Sequence, residues 1–223
     1  MDPLFHREER QAEPAQRDAP RQSKPAFGFR WIPIRKLAQR HRTRILSHLL
    51  ALDERDRYLR FGYAASDAQI ERYVEHLDFE RDEVFGVFNR RLALVAIAHL
   101  AYFDRASSPP CAEFGVSVTK ASRGRGYGER LFDHAALHAR NRGIDMLLVH
   151  ALSENTAMLR ITRNAGARIV RDGPESEAWV KLAPENLASH VEELVEDRVA
   201  DLDYHLKVQA HRVDELLSGR DKT

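Results

Sequence analysis

The run Glu113-Phe114-Gly115-Val116-Ser117-Val118-Thr119-Lys120-Ala121-Ser122-Arg123-Gly124-Arg125-Gly126-Tyr127-Gly128 decides how this chain folds. Its first six residues are mostly apolar or small and read as a strand, and its end places glycines at 124, 126 and 128, where a helix begins. Glycine opens backbone conformations closed to other residues and lets a ligand approach the main chain. The free amides of a helix start attract phosphate oxygens, and Arg123 and Arg125 add positive charge. These features make a cradle for a pyrophosphate, reached from a strand whose exposed edge can pair with an extended, amide-bearing arm. Other phosphate motifs fail here: a Walker loop ends in Gly-Lys-Ser/Thr, and a dinucleotide fingerprint needs a third glycine where Glu129 stands.

Working upstream, Val84-Phe85-Gly86-Val87-Phe88 and residues 92–103 are rich in β-branched and aromatic side chains about the turn Asn89-Arg90-Arg91, which predicts a β-hairpin. Before it, the pattern predicts a short strand over 29–34 and a helix over 35–52. A further helix is capped by Ser66 and Asp67 and carries Ile70, Tyr73, Val74 and Leu77 on one stripe. Downstream, the helix opened by the glycines runs over 126–142 and stops at Gly143. A buried strand over 146–151, a helix over 155–165 and two strands over 167–171 and 178–182 then complete one domain, expected at 28–183.

The flanks differ in character. Residues 1–27 carry four prolines among charged residues with little to bury, and they read as a disordered tail. From 184 to 217 the apolar spacing predicts one long helix within a C-terminal extension, 184–223. Two ways of burying its stripe stay open: packing on the domain, or an antiparallel partner in a homodimer.

At 223 residues, 43% hydrophobic and 31% charged with net charge +1, the composition is that of an ordinary soluble protein without a polyanion-binding surplus. Nucleic acid and membrane are therefore not expected partners. The single cysteine, Cys111, forms no intramolecular disulfide and no Cys-based metal site, so a cytoplasmic setting without a metal is expected.

The chain resembles the Gcn5-related N-acetyltransferase (GNAT) family, whose Arg/Gln-x-x-Gly-x-Gly/Ala signature matches residues 123–128. Residues 113–118 look like the family's fourth strand. Ser153-Glu154-Asn155-Thr156-Ala157-Met158 looks like its Asn-x-x-Ala segment, and Gly166 falls at its Gly-Phe pair. The resemblance implies an α/β (α+β) fold with a mixed, mostly antiparallel central sheet flanked by helices. It also implies acetyl transfer from acetyl-CoA to an amine acceptor by direct attack. Backbone groups of Val116 and Val118 would hold the thioester carbonyl and pantetheine arm. The segment Arg123, Gly124, Arg125, Gly126, Tyr127 and Gly128 would hold the pyrophosphate, and Asn155 the pantetheine or acceptor side. Departing from the family, Thr162 stands where a tyrosine often protonates the leaving thiolate, so either another group such as Tyr102 or water serves, or the thiolate leaves without help.

The attacking amine must lose a proton, so a carboxylate or imidazole is needed near the carbonyl. Glu113 is the first candidate, because alternation places it on one face with Gly115 and Ser117; its plainer reading is a solvated carboxylate at a strand start. His99, in phase with Val95 and Ile97, is the second, against a satisfied core histidine. His150 follows with no link to the thioester strand, and Cys111 reads as structural. Arg57, Tyr58 and Arg60 fall where the family builds its acceptor pocket and would favour a carboxylate-bearing amine, unless they are only a solvated helix end. Two other functions compete with catalysis: a non-catalytic acyl-CoA sensor acting through the C-terminal helix, and an assembly factor built on that helix.

Overall fold

Proline has no amide to give to a ladder, so the extended segment at Ile32-Pro33-Ile34 does not pair, and the first strand forms just beyond it. In the computed structural model, residues 32–103 and 109–184 are described, with single helical positions at 193, 196, 200, 201, 203, 204, 207 and 208. The tail and most of the long C-terminal helix expected from sequence lie outside the described residues.

The elements are β1 (Arg35–Leu37), a 3-10 turn, α1 (Arg42–Leu50), α2 (Glu54–Phe61), α3 (Asp67–Glu75), β2 (Glu83–Phe88), β3 (Leu94–Tyr102), β4 (Cys111–Val118), α4 (Tyr127–Asn141), β5 (Met146–Leu152), α5 (Thr156–Asn164), β6 (Arg168–Asp172) and β7 (Glu175–Lys181). Of the strand expected at 29–34, residues 32–34 join no ladder and 29–31 lie outside the described residues; β1 and α1 occupy part of the span expected as a helix over 35–52. In β1, Arg35 and Leu37 are buried while Lys36 points outward, the two-residue period of a strand laid on β2.

Helix α2 is made by its ends rather than by an apolar stripe. Asp53 accepts from the Asp56 amide at 2.8 Å, and Gly62 closes the C-terminus with φ of 80°, a left-handed conformation costly for other residues. Helix α3 opens on a reciprocal cap, Ser66 accepting from the Gln69 amide while Gln69 accepts from the Ser66 amide.

The seven strands form one sheet in the order β1-β2-β3-β4-β5-β7-β6, antiparallel throughout except for the parallel pair β4 and β5. A mixed, mostly antiparallel sheet flanked by helices is what the sequence implied. One core lies on the α4 and α5 side and includes Phe85, Leu100, Phe114, Leu131, Phe132, Leu147 and Leu159. The other lies under α1 and α3 and includes Ile45, Leu49, Ile70, Val74, Val84 and Ile97. Phe114 meets Phe132 edge to face at 5.1 Å, which fixes the even-numbered side chains of β4 on the α4 side.

Several C-terminal helical positions touch this domain. Glu196 accepts from His134 of α4 at 2.7 Å, and Tyr204 meets Phe88 edge to face and lies under the Arg35 guanidinium. At these positions the extension packs on the domain, the first of the two arrangements left open.

Candidate functional site

The site begins where β4 and β5 part. Only Cys111, Ala112 and Glu113 pair with β5, opposite Met146, Leu147 and Leu148. Beyond them β4 stays paired to β3 as far as Val118 opposite Ala96, and β5 stays paired to β7 as far as Leu152. A wedge therefore opens between the two parallel neighbours. Cys111 and Thr119 exchange hydrogen bonds with the β3 side, Phe103 N donating to Cys111 O and Thr119 N donating to Val95 O. Antiparallel pairing alternates, so odd-numbered residues of β4 turn their backbone to β3 and even-numbered ones turn theirs to the wedge. Val116 and Val118 are the even residues there, although the Val118 carbonyl accepts from Arg123 Nε at 3.3 Å.

The free end of β4 leads through a 3-10 turn to α4. Gly124 and Gly126 adopt φ of 72° and 79°, a backbone that other residues reach only with strain, and Gly126 caps the helix. Gly128 has a different reason: a Cβ there would lie 3.3 Å from Ile161 Cδ1, so it lets α4 approach α5. The first helical bond runs from Arg130 N to Gly126 O, leaving the amides of Tyr127, Gly128 and Glu129 without intrahelical acceptors. Arg125 is exposed and has no ion pair among the described residues. Arg123 is instead tied to the buried carboxylate of Asp56 on α2.

Asn155 is the N-cap of α5, accepting from Met158 N at 3.1 Å, while its amide donates to Leu59 O of α2 at 3.4 Å. Arg55 and Glu154 form a second link between α2 and this turn at 2.9 Å. Thr162 is fully buried, and its hydroxyl donates to Leu159 O at 3.1 Å. Tyr102 lies on the α4 face, opposite Ala112, and donates to Glu83 at 2.6 Å; burial and that carboxylate push its hydroxyl well above the usual range. Neither hydroxyl is placed to release a proton at the wedge.

On the opposite face, Glu113 is partly exposed and lies 3.4 Å from His150 Nδ1, whose Nε2 lies 3.4 Å from Glu177. Ser117 donates to His48 Nε2 at 2.9 Å, and His48 Nδ1 donates to Leu94 O; burial pushes the His48 imidazole below its ordinary value. His99 pairs across the strands with Gly115 and engages both ring nitrogens: Nδ1 with Tyr73 at 2.8 Å and Nε2 with Asp82 at 3.1 Å. Burial alone would raise the Asp82 carboxyl, but hydrogen bonds from His99 and Arg81 outweigh it and hold it at about 2.

Of the arginines read as an acceptor pocket, Arg57 points elsewhere. It donates to the carbonyls of Leu50, Leu52 and Ala65 and to Asp67, a clamp on the turns around α2. Arg60 instead lies over Gly115, on the Glu113 face of β4, the face of the cleft. Sequence reasoning missed Asp82 and read Tyr73 only as part of a helix stripe, because their meeting with His99 joins residues far apart in the chain.

A split mixed sheet with a glycine-capped helix at the split is the architecture this chain shares with acyltransferase domains, and its sequence places it among them. The chain belongs to the acetyltransferase (GNAT) domain family, whose model matches residues 32–168. Among solved structures, the GNAT domain of S. lividans PAT superposes with a TM-score of 0.57 at 23% identity, covering 67% of this chain and 89% of that one. A GNAT-family acetyltransferase from Staphylococcus aureus gives 0.55 at 15% identity, covering 69% and 100%. One from Streptococcus pneumoniae gives 0.55 at 12%, also covering 69% and 100%. At these identities the likeness is one of fold. No curated protein matches the chain by sequence. No helix among the described residues is long and apolar enough to cross a membrane.

Proposed function

We propose that this protein transfers an acetyl group from acetyl-CoA to an amine of a small molecule or protein, by direct attack and in the cytoplasm. The observation that carries the reading is the wedge between β4 and β5, which leaves the Val116 backbone facing a gap that runs on to the open amides at the start of α4. An extended arm with amides can pair with that backbone, and a pyrophosphate suits the amides and glycines from Arg123 to Gly128, with Arg125 supplying charge. Asn155 orders the turn beside the arm while holding α2 in place.

Glu113 is the general base in this reading. It shares the α2-side face of β4 with Gly115, and His150 lies close enough to orient it. The amine nitrogen bonds to the acyl carbon, the carbon–sulfur bond breaks, and the proton passes from the amine to Glu113. With Thr162 and Tyr102 committed elsewhere, the thiolate takes its proton from water. His99, engaged at both nitrogens, is a positioning residue.

A second reading, a non-catalytic acyl-CoA sensor acting through the C-terminal helix, draws on the burial of the Thr162 hydroxyl. A thermal-shift titration with acetyl-CoA followed by a thiol-release assay over an amine panel separates the two. Stabilisation with amine-dependent thiol release is expected. Stabilisation without release from any amine favours the sensor, and no stabilisation removes both.

A further inference from the structure

Helix α2 carries three arginines. Arg55 pairs with Glu154, and Arg57 with Asp67 and three carbonyls. Arg60 has no carboxylate partner among the described residues, although it is half-buried in the cleft. Its one hydrogen bond to a described residue is from Nη2 to the Tyr73 oxygen at 3.0 Å. Four of the five donors of its guanidinium are left without a described acceptor.

The position of this group is defined from beneath. A Cβ on Gly115 would lie 2.8 Å from Arg60 Cζ, 2.8 Å from Nη2 and 2.9 Å from Nη1. Three nearly equal distances mean that the guanidinium lies flat on β4 at the one residue that leaves it room. The face is that of Glu113, whose carboxylate pairs with His150 and not with Arg60. Gly115 precedes Val118 by three residues, about 10 Å of strand, so Arg60 is well separated from the pyrophosphate cradle beyond.

The hydrogen bonds behind Arg60 run in one direction. Asp82 accepts from His99 Nε2, His99 Nδ1 accepts from the Tyr73 hydroxyl, and the Tyr73 oxygen is thereby left to accept from Arg60. Tyr73 lies at 5.6 Å and Phe61 at 5.1 Å from the guanidinium carbon, which fixes its plane further. A rigid, half-buried fork with open donors matches one carboxylate in two-point contact. A phosphate dianion would call for a second cation, and the other arginines of α2 are already paired.

Resting on the amine-acetylating reading above, we propose that Arg60, held by Tyr73, His99 and Asp82 and accommodated by Gly115, anchors a carboxylate of the acceptor. The substrate is then a carboxylate-bearing amine, with its amine toward Glu113 and its carboxylate toward Arg60. Tyr73, His99 and Asp82 are positioning residues for that anchor.

The test uses the full chain with α-, β- and γ-amino acids, dipeptides and the C-terminal amide of each, read by acetyl-CoA-dependent thiol release. The acids should exceed their amides in kcat/KM by about thirtyfold or more, as loss of a charge-assisted pair implies. Arg60→Gln should erase that preference through KM, Arg60→Lys should keep part of it, and Tyr73→Phe, which retains the ring, should reduce it less than Arg60→Gln. Equal use of acids and amides, or an Arg60→Gln variant that slows both alike, overturns the anchor while leaving the acetyltransferase reading intact. Calorimetric titration of the same compounds onto coenzyme A-saturated protein reads the anchor without turnover. Acids should bind more tightly than amides and lose that advantage in Arg60→Gln. Failure of every acid to bind, or equal binding of acids and amides, overturns the proposal, whereas absence of turnover with acid-selective binding overturns only the catalytic reading.

Discussion

Arg123 reaches back from the glycine loop to the buried carboxylate of Asp56, so the loop that opens α4 is bolted to the helix over the other side of β4. The guanidinium also donates to the Val118 carbonyl, which leaves Arg125 as the arginine of the motif without an ion pair among the described residues. The first position of the signature, Arg123, is thus occupied by a brace.

A double-mutant cycle tests the brace. Asp56→Asn and Arg123→Gln should each raise the Kd for acetyl-CoA about fivefold, and the double mutant should be no worse than the poorer single. That outcome corresponds to a coupling of about 1 kcal/mol. Arg125→Gln should instead weaken binding in a salt-dependent way without lowering Tm, because it loses only an exposed charge.

Gly126 should be intolerant for two separable reasons. Gly126→Ala places a side chain at φ of 79°, costing about 1–2 kcal/mol of stability. Gly126→Asp adds a carboxylate facing the pyrophosphate and should abolish acetyl-CoA binding beyond that cost. Gly126→Asn, which accepts the left-handed conformation more readily, should recover most of the Tm. Measured melting curves and acetyl-CoA titrations of the three variants check this ranking.

Glu113→Gln should lower kcat by about a hundredfold while sparing acetyl-CoA affinity, the signature of a lost proton acceptor. The acidic limb of the pH-rate profile should go with it. An unaltered profile would move the base elsewhere.

The imidazole of His41 is held neutral in the fold. Burial, followed by the charges of Arg40, Arg35 and Arg44, lowers it from 6.5 to about 4, while Nδ1 accepts from the Ala38 amide at 2.9 Å. Because the folded value lies below the unfolded one, this stability is fully present above pH 6.5 and is lost as pH falls through about 4. The loss amounts to about 3 kcal/mol. Thermal melts across that window should show the decline, and His41→Asn, which can still accept from Ala38, should flatten it.

The elements nearest the glycine run were legible because their signals are local. Strand alternation from Glu113 to Val118, the helix starting beside Gly126 and the stop at Gly143 each depend on neighbours a few residues away. Helix α2 was not delimited from the sequence, since Tyr58, Leu59 and Phe61 make no repeating stripe; the structure sets its ends at Asp53 and Gly62. The three-residue β1 is too short for a period to distinguish it from the first turn of a helix. The site divided along the same line. Its cradle is one continuous segment and could be read, whereas Arg60, Tyr73, Asp82 and His99 come from four separate segments that only the packing of α2 and α3 on the sheet brings together.

Helix α2 holds the glycine loop through Asp56, the α5 cap through Leu59 and Arg55, and the cleft face through Arg60. The proposed donor and acceptor surfaces therefore share one short mechanical part of eight residues. Whatever steadies the loop also lowers the entropy that the acceptor must still lose, and the reverse holds with equal strength. In the acetyltransferase reading the two substrates should consequently assist each other's binding, through a shared helix rather than a moving lid.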